Sequence, residues 1–265
     1  MGDWVIREVR PEDAAALAAL WHRVFEDPEE LSRDFLAHLP ELGGGVTAQE
    51  NGVLLGAAYA VTDYFLAEQR LAYLYAVAVL PEARGRGLGL ALSREASALG
   101  RRLGAGIVCT SPAEPRLYPW YERAIGARCA LRLREERIGS RPGAIPRPLS
   151  PAAYGERREA LLAGKSHVRP GAAVLRQEQF NCRVCGGDLL ALDEGIAAAY
   201  VEGERTLIRE LLAPDGADRR SLAAAVGAAL GTEEVLLLSA AEEGEPYLAS
   251  DRPLPPGCVW NLILD

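Results

Sequence analysis

The sequence of 265 residues contains no uninterrupted apolar run of about 18 residues, the length from which a membrane-spanning helix is read. It also lacks an excess of basic residues, because 29 Lys and Arg stand against 37 Asp and Glu, for a net charge of −8. This balance argues against a general affinity for nucleic acids or anionic membranes. The first residues, Gly2-Asp3-Trp4, do not form a basic and apolar leader. We therefore expect a cytoplasmic protein that binds neither nucleic acid nor membrane.

Cysteine is scarce, with 5 residues, and an odd number without a leader fits a reducing compartment. Cys182 and Cys185 have the spacing of half a structural zinc site, which normally needs four ligands. Cys258 and His167 could complete such a site, but neither belongs to a recognisable second pair. We interpret Cys182 and Cys185 as thiols near a turn and expect no metal.

The junction between a strand and a helix near residue 85 is the most informative segment. An apolar strand stops at Pro81, the chain passes through Arg84-Gly85-Arg86-Gly87-Leu88-Gly89, and a helical run follows at once. Without a Cβ, the glycines let the backbone approach a ligand closely. The unpaired amides of the first helical turn favour a negative charge there. This arrangement predicts a cradle for a diphosphate.

Other glycine-rich loops fit this segment less well. A dinucleotide-binding loop would read Gly-x-Gly-x-x-Gly, whereas the spacing here is Gly85-x-Gly87-x-Gly89. A nucleoside triphosphate loop needs Gly-Lys-Ser/Thr, and this loop contains no lysine. The loop fits the pattern Arg/Gln-x-x-Gly-x-Gly/Ala and so resembles the phosphate loop of the GCN5-related N-acetyltransferases (GNAT), which holds the pyrophosphate of acetyl-coenzyme A.

The segments around the loop agree with this resemblance, which covers about residues 3 to 138. Residues 71–79 form an apolar run of strand length, and residues 45–61 predict a hairpin that turns at Asn51-Gly52. Helices are predicted at 12–25, 28–39 and 118–127, and strands at 4–11, 107–110 and 128–135. This order is that of an acetyltransferase domain. It implies the α/β (α+β mixed sheet) acyl-CoA N-acyltransferase fold.

The resemblance implies a set of cofactor-binding residues for acetyl-coenzyme A, which serves as co-substrate. Backbone groups of the strand would hold the pantetheine arm and the thioester oxygen, and the loop would hold the pyrophosphate. These residues are Val77, Ala78, Val79, Arg84, Gly85, Arg86, Gly87, Leu88 and Gly89. Arg84 and Arg86 add positive charge, and one of them could reach the 3′-phosphate.

Tyr121 is the candidate catalytic acid that protonates the departing thiolate. It lies in Trp120-Tyr121-Glu122-Arg123, which resembles the Tyr-Glu-Lys-Leu-Gly-Phe segment of the family. A phenol suits this task because its pKa lies above that of a thiol. The segment departs from the family pattern by one extra residue before Gly126 and by Ala127 in place of an aromatic residue, so Tyr118 is the substitute if the register shifts. Packing in the core is the alternative interpretation.

The general base stays unassigned. The strand at residues 71–79 carries no carboxylate, although many relatives place one there. Asp63 and Glu68 could act through a water molecule, and His22 is a weaker candidate because a lone histidine is more often structural. Some tandem acetyltransferases bring their C-terminus into the active site, which adds Asp265.

The second half of the chain repeats part of this pattern. Residues 1–138 are predicted as the acetyltransferase domain, 139–151 as a linker rich in Pro and Gly, and 152–265 as a second domain. After a helix at 151–163, strands at 187–193, 196–201 and 206–212 precede a helix at 221–231 capped by Ser221, and strands follow at 235–238 and 259–264. The loop at 213–221 has one glycine and two aspartates, which would repel a diphosphate. We interpret this half as a degenerate GNAT-like domain.

The leading hypothesis is an acetyl-coenzyme A-dependent N-acetyltransferase that acts on a primary amine of a small molecule or peptide. The alternative is a coenzyme A-binding regulatory or interaction module without catalysis, because the strand lacks a carboxylate and the Tyr121 register is shifted. The resemblance leaves a homodimer open. A fold alone does not name the acceptor.

Overall fold

A computed structural model describes residues 4–264, so Asp265 lies outside the described residues. The chain divides into two compact units. The first comprises the chain up to Ala130 together with Pro246–Leu254, and the second comprises Leu131–Glu245 together with Pro255–Leu264. By this division residues 131–138 and the predicted linker, residues 139–151, belong with the second unit.

The first unit contains a short strand, two helices, a three-stranded antiparallel meander, a helix, a strand and a short helix. These are β1 (Val5–Glu8), α1 (Ala14–Phe25), α2 (Glu29–Leu42), β2 (Gly43–Glu50), β3 (Val53–Leu66), β4 (Gln69–Val79), α3 (Leu88–Arg102), β5 (Ile107–Thr110) and α4 (Tyr118–Ile125). β6 (Arg128–Gly139) begins in this unit and continues in the second.

The second unit starts again with two helices and a meander. Its elements are β7 (Arg147–Pro148), α5 (Pro151–Leu161), β8 (Val168–Pro170), α6 (Ala172–Val184), β9 (Asp188–Leu192), β10 (Gly195–Glu202), β11 (Arg205–Leu212), α7 (Arg219–Ala229) and β12 (Glu234–Ala241). β13 (Glu245–Ser250) then returns the chain to the first unit. Apart from the short strand β8 between α5 and α6, both units share the order helix, helix, strand, strand, strand, helix, strand.

The sheet of the first unit runs in the order β1-β2-β3-β4-β5-β13, and β4 and β5 are its parallel pair. The hairpin between β2 and β3 turns at Asn51-Gly52, as predicted, with both residues at positive φ. Helix α3 buries Leu88, Leu92 and Leu99 against one face of the sheet. The predicted elements of this half and the mixed α/β fold class are therefore confirmed.

The sheet of the second unit runs in the order β6-β12-β11-β10-β9-β7. β11 and β12 form its parallel pair, and α7 covers one face through Ala223 and Val226. This is the strand, strand, strand, helix, strand order that the sequence predicts, with β9, β10, β11, α7 and β12 in those places.

Two sequence expectations for the second half are wrong in detail. Asp218, and not Ser221, caps α7, because the Asp218 side chain accepts a hydrogen bond from the Ser221 amide. Residues 259–264 form no strand, and only Val259 makes a parallel bridge, to His167. The segment is apolar because most of it is buried, and not because it pairs in a sheet. Cys182 is buried in the last turn of α6, and the turn that follows includes Cys185, as expected.

The helices of residues 4–264 include none that is both long and apolar enough to cross a membrane. Across the same residues, no three His, Cys, Asp or Glu side chains are grouped as they would be around a metal ion.

Asp13 anchors the turn that leads into α1. Its two carboxylate oxygens accept hydrogen bonds of 2.7 Å and 2.7 Å from Arg7, and a further bond of 2.8 Å from the Arg10 amide. The hydrogen bonds from Arg7 are the largest cause of a lowered pKa of Asp13, and its burial acts in the opposite direction. The ionised carboxylate is therefore the form that the fold stabilises.

We expect Asp13→Asn to lower the free energy of unfolding by about 1.5–3 kcal/mol at pH 7, the range for hydrogen bonds to charged groups. Because the folded-state pKa is lowered, this contribution is fully present above the unfolded pKa of about 3.9 and is lost as the pH falls through the folded value. Urea unfolding at pH 7 and pH 3 measures it. A difference between Asp13→Asn and wild type that stays constant between these pH values would contradict the assignment.

Candidate functional site

The parallel strands β4 and β5 separate halfway along β4. Their register pairs Leu71 with Ile107 and ends with Leu74 opposite Thr110. β4 then continues for another five residues, to Val79, beyond the last pair. The backbone edge of β4 that faces β5 in the first stretch is therefore open to another partner in the second. An open edge of this kind can pair with an extended chain that carries amide groups.

A β-bulge lies where the two strands separate. β3 pairs Tyr59 with Tyr75 and then Ala57 with Ala78, so two residues of β4, Ala76 and Val77, lie opposite the single residue Ala58, and β4 has one extra residue. Ala76 has a φ of 46°, which is unusual for a residue with a side chain. Such a bulge locally disrupts the ladder and leaves backbone groups outside it. The predicted thioester-binding residues Val77, Ala78 and Val79 lie in and just after this bulge.

Gly56 lets β3 approach the bulged strand closely. A Cβ at Gly56 would lie 2.6 Å from the carbonyl oxygen of Ala78, a distance that a real Cβ does not reach. The bulge and the glycine opposite it therefore fit one another.

The glycine-rich loop takes the conformation that an anion cradle needs. Gly85 and Gly87 have φ values of 78° and 82°, and a Cβ at either would meet nothing within 4 Å. The glycines are thus required for their backbone conformation, and the space above them is open to a ligand. Gly87 is the N-terminal cap of α3, and no side chain caps this helix. The amides of its first turn are available to an anion.

The two arginines of the loop are already engaged by the protein. Arg84 donates from Nε to the carbonyl oxygen of Val79 at 3.2 Å. Arg86 forms a two-pronged ion pair with Glu50 at the end of β2, with one contact of 3.1 Å. The hydrogen bond from Arg86 lowers the pKa of Glu50. Glu50 lies 36 residues before Arg86, and no local pattern in the sequence indicates this partner.

Tyr121 lies at the fork, the point after Leu74 and Thr110 at which β4 and β5 separate. Its ring is almost buried, and its hydroxyl is hydrogen-bonded to Thr110, the last β5 residue that pairs with β4. Thr110 in turn donates to the carbonyl oxygen of Leu74 at 3.2 Å. Burial raises the pKa of Tyr121, and the hydrogen bond to Thr110 is a smaller, opposing cause. The phenol therefore stays protonated at neutral pH.

Trp120 joins Tyr121 to the start of α3. Its ring meets that of Tyr121 edge to face, with centroids 4.7 Å apart. A Cβ at Gly89 would lie 3.4 Å from the same indole, so the third glycine of the loop lies under this ring. The structure thus brings the predicted acid, the phosphate loop and the end of β4 together. Tyr118, the substitute candidate, lies one turn before Tyr121 at the start of α4.

Two of the candidate bases, Glu68 and Asp63, lie away from the bulge. Glu68 is an exposed residue in the turn between β3 and β4, about eight residues before Ala76. At the rise of a β-strand this is roughly 25 Å. Asp63 lies on β3 between the residues that pair with Tyr73 and Leu71, also short of the bulge. His22 is exposed, and its Nδ1 faces the carbonyl oxygen of Asp27 at 3.0 Å.

The second unit has a comparable strand fork but fills it with its own side chains. β11 pairs with β12 from Arg205 to Ile208, and a register shift against β10 follows at once. Beyond it, Glu210 is fully buried and accepts hydrogen bonds from Tyr154 at 2.9 Å and from Arg158 Nε at 3.0 Å. A closed ion pair thus occupies this part of the second unit.

The helix that follows β11 differs from α3 in its cap. The carboxylate of Asp218 accepts from the amide and the hydroxyl of Ser221 at 3.1 Å and 2.7 Å. A cavity of about 450 Å³ beside it is lined by Asp193 and Glu194 as well as by Asp218, with Arg141 as a counter-charge. The N-terminus of α7 is thus occupied by the carboxylate of Asp218, whereas the N-terminus of α3 is open to an anion.

Comparisons with known proteins agree with the geometry of the first unit. Residues 11–127 match the family model described as "Acetyltransferase (GNAT) family". No curated protein sequence matches the chain.

The chain is also similar to solved structures. One is a conserved protein of unknown function from Enterococcus faecalis V583, with a TM-score of 0.70 and 16% identity over 93% of this chain and 72% of that one. Another is a GCN5-related N-acetyltransferase from Kribbella flavida, with a TM-score of 0.67 and 16% identity over 94% and 70%. A third, from Sphaerobacter thermophilus, has a TM-score of 0.54 and 16% identity over 96% and 97%. At these identities the likeness shows the fold. Because the family model spans the fork, the bulge and the glycine-rich loop, residues 11–127 of this chain form an acetyltransferase domain of the GNAT family.

Proposed function

We propose that the first unit transfers an acetyl group from acetyl-coenzyme A to a primary amine. The observation that carries this proposal is the meeting of three features: the open edge of β4, the uncapped start of α3 and the hydroxyl of Tyr121. An extended chain with amide groups, a diphosphate and a thiolate that needs a proton are the chemical partners of these features. Acetyl-coenzyme A carries the first two and releases the thiolate when its thioester is cleaved, and it supplies the activated acetyl group.

The backbone of the first unit performs the binding. The edge of β4 beyond Leu74 offers N–H and C=O groups to the pantetheine arm, and the bulge at Ala76 and Val77 offers an amide to the thioester oxygen. Such a donor stabilises the negative charge that develops on that oxygen, a contribution of about 2.7–4 kcal/mol in other enzymes. The loop from Arg84 to Gly89 holds the pyrophosphate through amides of Gly87, Leu88 and Gly89.

Proton transfer completes the reaction. The neutral amine nitrogen attacks the thioester carbon, the C–N bond forms and the C–S bond breaks, and Tyr121 protonates the thiolate. The proton that leaves the amine nitrogen passes to water, which also restores the phenol. The products are an N-acetylated amine and coenzyme A.

We further propose that the second unit is a GNAT-like unit that does not bind the cofactor. Asp218 caps α7 and the Arg158–Glu210 pair fills the fork, so neither the anion site nor the open strand edge is offered there. Binding of one acetyl-coenzyme A molecule per chain would support this assignment, and binding of two molecules per chain would contradict it.

Release of free thiol from acetyl-coenzyme A tests the proposed function. We expect the rate to depend on both acetyl-coenzyme A and a primary amine, with N-acetylated product seen by mass spectrometry. Binding of acetyl-coenzyme A without turnover on alkyl, aryl and polyamine acceptors would instead favour a coenzyme A-binding module without catalysis.

We expect Glu50→Gln to tighten coenzyme A binding by about 2- to 5-fold at low salt. Glu50 holds Arg86 in an exposed ion pair, and a phosphate that binds Arg86 must first compete with this weak interaction. Calorimetric titration at 20 mM and 500 mM NaCl measures the change, which salt should reduce.

Glu8→Gln is the matched control, since it breaks the exposed Glu8–Arg102 pair at the other end of α3. Weaker binding by Glu50→Gln would contradict the prediction, because it would mean that Glu50 orients Arg86 towards the ligand.

A further inference from the structure

The amine that accepts the acetyl group must approach the bulge of β4 from one particular face. The face towards α3 is filled at this point, because Leu74, Leu88 and Leu92 are buried and Val77 and Val79 pack against them. The other face carries Tyr75, the residue directly before the bulge, and is covered by α1 and α2. Tyr75 and Ala76 are only half-buried. The acceptor amine therefore approaches the bulge from the face that α1 and α2 cover. This inference rests on the function proposed above.

Aromatic rings dominate this face. The ring of Tyr75 lies 5.4 Å from Trp21 and 5.2 Å from Phe35, centroid to centroid. Trp21 also contacts Tyr59 at 5.7 Å, and Phe35 contacts Tyr59 at 5.1 Å. Aromatics make up only 6% of the chain, so this concentration beside the reacting position is unusual for the molecule. Such rings attract a flat apolar partner through edge and offset contacts.

Two rings of this face, those of Phe25 and Tyr75, are not fully buried. Phe25, the last residue of α1, is 39% exposed and lies 5.7 Å from Trp21. Tyr75 is the second, being half-buried. Trp21 and Phe35 are buried and form the fixed floor beneath them. An exposed large apolar ring beside a reacting strand presents a contact surface that water solvates poorly.

The polar groups around this face are engaged by neighbouring side chains. Asp27 accepts from Nε1 of Trp21 at 2.9 Å, so the indole presents its apolar surface. Glu82, in the turn after β4, is held by Arg23 of α1 at 3.0 Å. A polycationic acceptor would have to compete with Arg23 for Glu82, whereas a monoamine with an apolar group would not.

We propose that the acceptor is an arylalkylamine, a primary amine joined through a short chain to an aromatic ring that rests against Phe25 and Tyr75. The nitrogen attacks the thioester carbon, the C–N bond replaces the C–S bond, the thiolate takes a proton from Tyr121, and the proton of the attacking amine passes to water. The side chains of Phe25 and Tyr75 select the acceptor and take no part in proton transfer.

Steady-state acetylation of 2-phenylethylamine, n-butylamine and spermidine by the full chain tests this assignment. We expect kcat/KM for 2-phenylethylamine to exceed that for n-butylamine by at least 10-fold. Phe25→Ala should reduce that ratio about 3- to 10-fold, mainly through KM, and Phe25→Tyr should restore it. Leu103→Ala is the matched control, because Leu103 follows α3 and is also 39% exposed. It should leave the ratio unchanged.

Calorimetry in the presence of coenzyme A provides a readout that does not need turnover. We expect 2-phenylethylamine to bind wild type more tightly than n-butylamine, and Phe25→Ala to remove this difference. Faster turnover of n-butylamine or spermidine, or equal binding of the two monoamines, would overturn the acceptor class while acetylation itself still supports the proposed function. Acetyl-coenzyme A binding without acetylation of any of the three amines, together with no binding of 2-phenylethylamine, would overturn both.

Discussion

Tyr121→Phe should lower kcat by about 10²- to 10⁴-fold, the range that positioned acid catalysis supplies. The change removes one oxygen and keeps the ring that packs against Trp120. Affinity for acetyl-coenzyme A should stay within 2-fold of wild type, because the proposed binding groups are backbone amides of β4 and α3. Single-turnover kinetics with a saturating amine and calorimetry with coenzyme A measure the two quantities separately.

Burial raises the pKa of Tyr121, so the phenol keeps its proton through neutral pH and up to at least its ordinary value near 10. The rate should therefore not fall on account of Tyr121 between pH 7 and pH 9.5. Tyr118→Phe, one helical turn earlier, discriminates between the two registers. A large loss of kcat in Tyr118→Phe with little loss in Tyr121→Phe would move the acid to Tyr118, and no loss in either would contradict acid catalysis by α4.

Glu210→Gln should lower the free energy of unfolding of the second unit by about 3–5 kcal/mol, as expected when one partner of a buried ion pair is removed. Glu210 and Arg158 are both completely buried, and Arg158 donates to the carboxylate from Nε at 3.0 Å and from Nη2 at 3.1 Å. The hydroxyl of Tyr154 donates a further bond at 2.9 Å. An amide at residue 210 would leave the buried guanidinium with only the partly exposed Glu159, 3.6 Å from its Nη1, as a counter-charge.

Hydrogen exchange of the α5 and β11 amides in increasing urea measures this loss within the second unit. Glu202→Gln is the control, because its pair with Arg205 is partly exposed and is worth less than about 1 kcal/mol. A loss of under 1 kcal/mol in Glu210→Gln would contradict the account of this pair, since it would mean that water or another group compensates the charge of Arg158.

Local chemistry made much of the first unit predictable. Asn51-Gly52 is a turn because both residues tolerate positive φ, and α3 starts at Leu88 because Gly87 supplies a left-handed residue before an apolar periodic run. Gly126 ends α4 in the same way. Each of these signals depends on a few neighbouring residues, so it can be read from the sequence without knowledge of the tertiary structure.

Features that depend on distant partners could not be predicted in the same way. The bulge at Ala76 carries no glycine to mark it, and it is visible only in the register with β3. Glu50 is an ordinary hairpin glutamate until Arg86 is placed beside it. Residues 259–264 have the composition of a strand because burial and strand pairing favour the same apolar side chains.

The sequence does not predict helix α6, for a related reason. Its buried residues include Gln177, Glu178 and Gln179, so apolar periodicity gives a weak signal over residues 172–184. The side-chain amide of Gln179 donates to Asp188 at 2.7 Å, and that of Gln177 donates to Asn181 at 3.0 Å. Buried polar pairs of this kind are settled by tertiary contacts, which a single sequence does not reveal.

Isothermal titration of acetyl-coenzyme A into wild type and into the double variant Arg84→Ala, Arg86→Ala tests the central claim most directly. The account predicts one site per chain with micromolar affinity in wild type, weakened in the double variant, which keeps the glycines and amides of the loop. Absence of binding to wild type would contradict the account, because the likeness to acetyltransferases would then be one of fold only.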